Sequence, residues 1–441
     1  MNLVALGIIW FTLYVLLVLA PSALALASSP FPNARPFLLE VSVGLGLLAA
    51  PMMLTQLALV SRTRVTSRPF GTDALVQFHR YMGTLAAVFA IMHVLLLNFR
   101  GLPWSTWSPF TGSLTTRAGA IVLCSILLLF VTTVFRERLR LSFEWWRTLH
   151  VLLAILAVAT LVLHIVGVSG YSGTPAMRWL LGAYLVAAVL TLLRYRVVRP
   201  LLLTGRPWAI AENTVEGSST RTLRVRPVDH GGFSFEPGQF GWLITGRSPF
   251  SRQQHPISIA SSAERESTGD VEVTIRDLGD WSGTTVPGLA PGATVWLDGP
   301  YGAFTTEGKA AQGFVFIAGG IGITPIRSML LTMRDRGDRR HAVLLYAARD
   351  TESASFTDEL HALPADLELD VVQVLEAPPS GWNGETGFIT GDTLDRHLPP
   401  FFRRYHYFIC GPVGMMNAVE AALLSRGVPA GAIHSERFDM V

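Results

Sequence analysis

Four of the eleven histidines, His79, His93, His150 and His164, lie in or at the ends of strongly apolar runs. His79 and His93 are fourteen residues apart, and so are His150 and His164. At 3.6 residues per turn, fourteen residues make nearly four turns. Both members of a pair therefore share one helix face, about 21 Å apart along the axis. Ionisable side chains in hydrocarbon are costly and mark functional sites, and imidazole is a good axial ligand for haem iron. If the two runs face each other and cross in the same direction, His79 lies level with His150, and His93 with His164. Each level then presents two imidazoles across a gap that a porphyrin fills, which predicts two stacked b-type haems. No Cys-x-x-Cys-His occurs, so covalent c-type attachment is excluded. Hydrogen bonding between helices and a non-haem metal centre are the other readings of intramembrane histidines. The repeated spacing on alternate runs favours the haem pairs. Arg80 and Arg147 flank the first level and could each meet a haem propionate or a phospholipid headgroup.

The elements that would hold these histidines are six apolar runs, roughly 3–20, 37–60, 75–97, 117–135, 148–167 and 177–193. Each is near the ~20 residues that cross a bilayer. Hydrophobic residues make up 50% of the 441-residue chain and charged residues 15%. A soluble chain carries about 25% charge, so the composition excludes disorder and a purely water-soluble enzyme. The charge is divided. Residues 1–200 carry a net +11 and residues 201–441 a net −8, which together give the formal +3. Arg62, Arg64, Arg68, Arg136, Arg138, Arg140, Arg147, Arg194, Arg196 and Arg199 lie on one side of the runs. The links on the other side hold only Arg35 and Arg100. The positive-inside rule then places the N-terminus and everything after residue 193 in the cytoplasm. Because most of the basic residues flank the membrane, no nucleic-acid partner is expected. Ala23–Ser29 resembles a signal-peptidase site, but no Lys or Arg precedes the first run as a signal peptide requires. Cys124 and Cys410 suggest neither a disulfide framework nor a cysteine metal site.

After residue 200 the pattern changes. Residues 205–305 read as short alternating strands with Gly and Pro turns, among them Thr222–Pro227, Gln239–Ile244, Val271–Ile275 and Thr294–Leu297, which predicts a small closed β-barrel. From Gly313 strands alternate with helices, which predicts a parallel α/β sheet. The strands are read at 314–318, 342–347, 368–375, 406–410 and about 430–434, and the helices at 325–334, 354–362 and 412–426. Gly319-Gly320-Ile321-Gly322-Ile323-Thr324-Pro325 follows the first of these strands. Glycines there let a backbone approach phosphate, and the helix that follows favours anions. Cys410-Gly411-Pro412 makes a second strand-to-helix turn, and two such turns in one sheet define a dinucleotide crevice. Arg349, at the end of the next strand, is placed to hold an adenosine 2′-phosphate, favouring NADPH over NADH. It could equally be a surface arginine paired with Asp350.

Taken together, these features resemble the ferric reductase and NADPH oxidase superfamily over nearly the whole chain. That resemblance implies a multi-domain membrane protein: a six-helix transmembrane bundle, an antiparallel β-barrel flavin domain and an α/β parallel-sheet nucleotide domain. The expected divisions are a haem domain over 1–200, an FAD-binding barrel over 201–306 and an NAD(P)H-binding domain over 307–441. His79-Arg80-Tyr81-Met82-Gly83 looks like the family's first ligand segment, and the four histidines match its ligand pairs. His255-Pro256-Ile257-Ser258-Ile259-Ala260-Ser261-Ser262 is similar to its flavin signature, which implies contacts from His255, Pro256 and Ile257 and puts Ser258 near flavin N5. Ile275–Ser282, with Arg276, Gly279, Trp281 and Ser282, resembles the segment that meets the FAD pyrophosphate; an exposed hairpin arginine is the simpler reading. Asp298–Gly302 resembles the turn that closes the flavin barrel. Gly319, Gly320, Gly322, Thr324 and Pro325 match nicotinamide-nucleotide contacts, as do Cys410, Gly411 and Pro412. Tyr346–Asp350 resembles the strand end of NADPH oxidases. Glu436-Arg437-Phe438 is similar to the terminus of soluble flavin reductases, which implies Phe438 as a flavin cover or a packing residue. Ser258, Cys410 and Phe438 are the candidate catalytic residues.

The resemblance implies FAD, two b haems and NADPH as cofactors, with NADH possible. Electrons would cross the bilayer of a bacterial inner membrane from a cytoplasmic module to oxygen, giving superoxide. Ferric-chelate reduction is the alternative acceptor chemistry. A membrane electron-transfer subunit serving a periplasmic partner is a further class, as is a transporter with a cytoplasmic nucleotide sensor. No obligatory protein partner is implied, and no EF-hand loop points to calcium control. The short link Arg194–Pro207 leads to the expectation that the flavin is held close beneath the spans.

Overall fold

The computed structural model describes residues 3–31, 33, 35–61, 70–99, 108–168, 170–264 and 269–437. The chain forms two compact units that divide at Val198/Arg199. The first unit contains helices α1 (Leu3–Ala27), α2 (Phe37–Leu59), α3 (Thr72–Asn98), α4 (Leu114–Val134), α5 (Phe143–Val168) and α6 (Pro175–Leu193). All six are long and apolar enough to cross a membrane. Several run past the expected ends because residues outside the most apolar stretch still continue the helical turns. α1 continues through Pro21 and the Ala23–Ala27 stretch, and α5 begins five residues before Thr148, at Phe143. Side-chain caps fix two starts: the Ser113 hydroxyl accepts from the N–H of Thr116 at α4, and Thr174 does so from Met177 at α6. The bundle core draws Ala50 and Leu54 from α2, Ala87 from α3, Val122 and Ile126 from α4, Leu161 from α5 and Tyr184 from α6. The Tyr184 hydroxyl donates to the Leu17 carbonyl in α1 at 2.6 Å. Large apolar side chains such as Leu128, Leu152 and Leu190 face outward, as a lipid-facing surface requires.

The second unit starts with helix α7 (Arg199–Thr204). Its Arg199 pairs with the buried Asp298 at 2.6 Å, and Asp298 also accepts from the Tyr301 hydroxyl at 2.9 Å. Leu203 packs with Ile244 and Trp296. Six strands follow: β1 (Trp208–Val215), β2 (Thr220–Pro227), β3 (Phe240–Ile244), β4 (Gln254–Ser258), β5 (Val271–Arg276) and β6 (Thr294–Tyr301). They pair antiparallel in the order β4-β3-β6-β1-β2-β5. A bridge between Ile259 and Val273 joins the two ends of that order, so the sheet closes into a barrel. Trp208, Ile210, Leu223, Val225, Leu243 and Val273 fill it.

The chain continues through β7 (Gly313–Gly319), α8 (Ile323–Asp335), β8 (His341–Ala348), α9 (Thr357–Ala362), β9 (Leu369–Leu375), β10 (Glu385–Thr386), α10 (Gly391–His397), β11 (His406–Cys410), α11 (Val413–Ser425) and β12 (Ile433–Glu436). The parallel sheet runs β10-β9-β8-β7-β11-β12. The strand order reverses between β7 and β11, which opens a crevice at their carboxyl ends. β7 is buried at every position, as a strand covered on both faces must be. α9 starts later than its pattern suggests because Phe356 takes a left-handed conformation immediately before it. Lys309, the sole lysine of the chain, lies in the link from β6 to β7, where its carbonyl accepts from Arg340 Nη1 at 3.0 Å.

Candidate functional site

In the first unit α3 carries His79 and His93 and α5 carries His150 and His164. The rings of His79 and His150 are 6.2 Å apart between centroids, and those of His93 and His164 are 6.5 Å apart. An iron bonded at about 2 Å to each of two imidazole nitrogens holds their ring centres roughly 6 Å apart. Both pairs therefore fit an axial bis-imidazole arrangement. The hydrogen bonds at the back of the rings agree. His93 Nδ1 lies 2.8 Å from the Ser42 carbonyl and His164 Nδ1 lies 3.0 Å from the Thr115 carbonyl. A carbonyl oxygen only accepts, so each Nδ1 carries the proton and each Nε2 keeps its lone pair. The Ser42 hydroxyl donates to the His93 carbonyl at 2.8 Å. The Gln56 amide nitrogen donates to His79 Nδ1 at 2.5 Å and to the His79 carbonyl at 3.2 Å, while its oxygen accepts from the Gly83 N–H at 3.1 Å. His150 Nδ1 is buried with no hydrogen-bond partner among the described residues; the Trp146 ring packs 5.3 Å away. Among the described residues no three His, Cys, Asp or Glu side chains converge.

Sequence reasoning found the histidines but missed Ser42 and Gln56. Their signal was present: they too are fourteen residues apart, on the preceding span, and α2 runs antiparallel to α3, pairing Ser42 with His93 and Gln56 with His79.

In the second unit β4 carries His255, Pro256, Ile257 and Ser258. The His255 ring stacks on Trp281, with centroids 3.8 Å apart and planes 19° apart, and Trp281 Nε1 donates to Thr245 Oγ1 at 2.9 Å. Ser258 is buried, and its hydroxyl has no hydrogen-bond partner among the described residues. It pairs with Phe240 across β3, which in turn pairs with Tyr301 on β6. Cys410, at the end of β11, sits in register with Glu436 of β12. One Glu436 oxygen, Oε2, is buried with no hydrogen-bond partner among the described residues. A Cβ built on Gly302, the residue after Tyr301, would lie 3.5 Å from the other oxygen and 3.2 Å from the Phe240 ring. Ser258, Phe240, Glu436 and Cys410 therefore converge through strand register and these contacts. Burial pushes the Glu436 carboxyl well above the usual carboxylate range. Burial, and then the adjoining Glu436, push the Cys410 thiol up. Both shifts favour the neutral form of the group. Unsatisfied buried polar atoms are expensive, and those of Ser258 and Glu436 fit a place completed by a polar ring system. Of the Glu436-Arg437-Phe438 segment only Phe438 was singled out from sequence, because the burial and register that distinguish Glu436 leave no mark in its spacing.

The two glycine turns meet. A Cβ on Gly322 would lie 2.2 Å from the Cys410 carbonyl oxygen, and one on Gly411 2.9 Å from the backbone of Gly319. Only glycine lets these two strand ends touch. Arg276 Nη1 lies 3.2 Å from where a Gly320 side chain would begin, so the barrel's cation stands beside the sheet's glycine turn. Thr324 Oγ1 donates to the Ile321 carbonyl at 2.9 Å and braces the same turn, while Pro325 is buried in the first turn of α8 and Pro412 precedes α11. Ser282 Oγ accepts from the N–H groups of Leu278 and Gly279 at 2.9 and 3.0 Å, so its hydroxyl caps that turn. The space beside Gly279 is open. Arg349 is exposed just past β8. Phe438, like Arg62, Arg64, Arg68 and Arg100, lies outside the described residues.

Comparison with known proteins agrees with both halves. Residues 45–161 match the ferric reductase like transmembrane component, and residues 316–421 match the oxidoreductase NAD-binding domain. The chain is 32% identical over 231 residues to ferredoxin–NADP reductase B of Sorangium cellulosum, covering 50% of this chain and 91% of that protein. It is 31% identical over 225 residues to the reductase component of propane 2-monooxygenase from Rhodococcus jostii, covering 49% of this chain and 59% of that one. The flavohemoglobin of Malassezia yamatoensis, solved with FAD and heme, superposes with a TM-score of 0.50 at 16% identity over 90% of this chain and 98% of its own, a likeness of fold. With six apolar helices ahead of a ferredoxin-reductase-like FAD and NAD(P)H module, the chain belongs to the ferric reductase and NADPH oxidase superfamily.

Proposed function

We propose that this multi-pass membrane oxidoreductase passes electrons from cytoplasmic NADPH through FAD and two b haems to oxygen on the far side of the bilayer, releasing superoxide. The haem domain is placed over 1–200, the FAD barrel over 201–306 and the nucleotide domain over 307–441. The observation that carries the reading is the pair of histidine levels at 6.2 and 6.5 Å, with Nε2 left bare on His93 and His164. When bound, FAD takes a hydride from the nicotinamide and releases electrons singly, as the one-electron chemistry of haem requires.

The chain's own residues do the rest. His79 and His150 would hold the inner iron, and His93 and His164 the outer one. Gly319, Gly322 and Gly411 let the two strand ends close on a pyrophosphate, and Arg276 supplies a cation beside them. Arg349 selects a 2′-phosphate. Ser258 offers a hydroxyl where flavin N5 would lie, with Cys410 and Glu436 beside it, both pushed by burial toward their neutral forms. With His93 and His164 both committed as ligands, they would leave no open position on the outer iron to select the acceptor, which favours a small diffusible one. The family model's description favours a second reading, ferric-chelate reduction. Purified protein with FAD and NADPH should consume oxygen and reduce a superoxide-sensitive dye. Rapid reduction of chelated ferric iron under argon, without superoxide formation in air, would establish the second reading instead.

A further inference from the structure

We infer that Gly46 and Gly119 are positioning residues for the His93/His164 pair. Each opens a notch in its helix through which an imidazole from another helix reaches a main-chain carbonyl. The inference rests on the bis-histidine haem reading. His93 Nδ1 donates to the carbonyl of Ser42, four residues before Gly46. His164 Nδ1 donates to the carbonyl of Thr115, four residues before Gly119. In an α-helix the carbonyl of residue i points toward residue i+4, so a ring that shares that carbonyl must pass over residue i+4. A Cβ at Gly119 would lie 2.7 Å from His164 Nδ1 and 2.9 Å from its Cε1. At Gly46 the corresponding distances to His93 are 3.2 and 3.3 Å. An alanine would push the first ring off its carbonyl and crowd the second. Gly167 draws α5 against α4 at the same level, since a Cβ there would overlap the Thr115 side chain.

The other pair lacks this device. His79 is met by a side chain, Gln56, and the residue fourteen beyond Thr115 is Leu129, which offers no side-chain acceptor. A carbonyl on Nδ1–H fixes the ring plane of a metal-binding imidazole and makes Nε2 a stronger donor. The glycines therefore set both the orientation and the donor strength of the outer ligands.

The test compares the full-length haem-loaded protein with Gly119→Ala, Gly46→Ala and Gly44→Ala. Gly44 lies on the same helix as Gly46 and has open space where a side chain would begin. The readouts are haem per chain, low-temperature paramagnetic resonance of the ferric protein and a redox titration. Gly119→Ala should change one of two low-spin signals and move one of two midpoint potentials upward, or lose that haem alone. Gly46→Ala should affect the same component less, and Gly44→Ala should match the parent. Parent-like signals and potentials in both Gly119→Ala and Gly46→Ala would overturn the inference, as would an equal change in Gly44→Ala. If Gly119→Ala does not accumulate, Gly46→Ala against Gly44→Ala decides. A parent with no b-type absorption would instead sink the haem reading itself, whatever the variants do.

Discussion

Glu436 shows how far a side chain's chemistry can lie outside its sequence motif. Like its neighbours Ser258 and Cys410 it sits in a recognisable segment, Glu436-Arg437-Phe438, but its character comes from register beside Cys410 and from burial. Burial raises its folded pKa above the unfolded value. Its contribution to stability is thus complete below the unfolded pKa and is lost as pH rises through the folded one. Glu436→Gln keeps the shape without the charge. The melting temperature of the parent should therefore fall on going from acidic to alkaline pH more than that of Glu436→Gln, as scanning calorimetry would show; parallel pH curves would disprove a buried neutral acid. The same limit hid the carbonyls behind His93 and His164. Four histidines at repeated spacing are legible as letters, whereas a main-chain acceptor exists at every position and becomes specific only when packing aims a ring at it.

At the scale of elements, α8 joins sheet and barrel through one face. Arg327 Nη1 donates to Glu272 of β5 at 2.8 Å and to the Ala260 carbonyl at 3.0 Å, while its Nε and Nη2 reach Glu359 at 2.6 and 3.1 Å. Its guanidinium lies 4.4 Å over the Phe356 ring. One turn on, Thr332 Oγ1 accepts from the Ala263 N–H at 2.8 Å. Removing one partner of a buried ion pair costs about 3 kcal/mol. Arg327→Met should lower the denaturant midpoint of the second unit accordingly and release flavin more readily, measured by unfolding curves and flavin fluorescence; an unchanged midpoint would show that the network adds nothing. The spans, the barrel strands and the β7–α8 turn could be read from period and punctuation. α10 could not: its capping box uses Thr393 at the third helical position, where a Glu or Gln gives the usual signature, and glycines precede it. Arg327 itself reads as one more arginine on a helix, since Glu272 and Glu359 are distant in sequence.

Across the whole molecule, a +11 membrane half and a −8 second half nearly cancel. The arginine bias predicts that residues from 199 onward face the cytoplasm. Protease added to intact cells should leave that portion uncut, and protease added to inverted membrane vesicles should degrade it; the reverse pattern would overturn the orientation. The opposed charges suit two environments: arginines at span ends favour anionic lipid, while a surplus of acid favours exposure to water. The seam between barrel and sheet also offers an experimental handle. Lys309 lies there, and burial holds its amine below the usual lysine range, within electrostatic reach of the stacked His406 and His434 rings. No other side-chain amine exists in the chain. Acylating dyes therefore meet a single side-chain target, so a fluorophore can be installed at the joint between the flavin and nucleotide lobes without introducing a cysteine, and its emission would report on that joint during turnover.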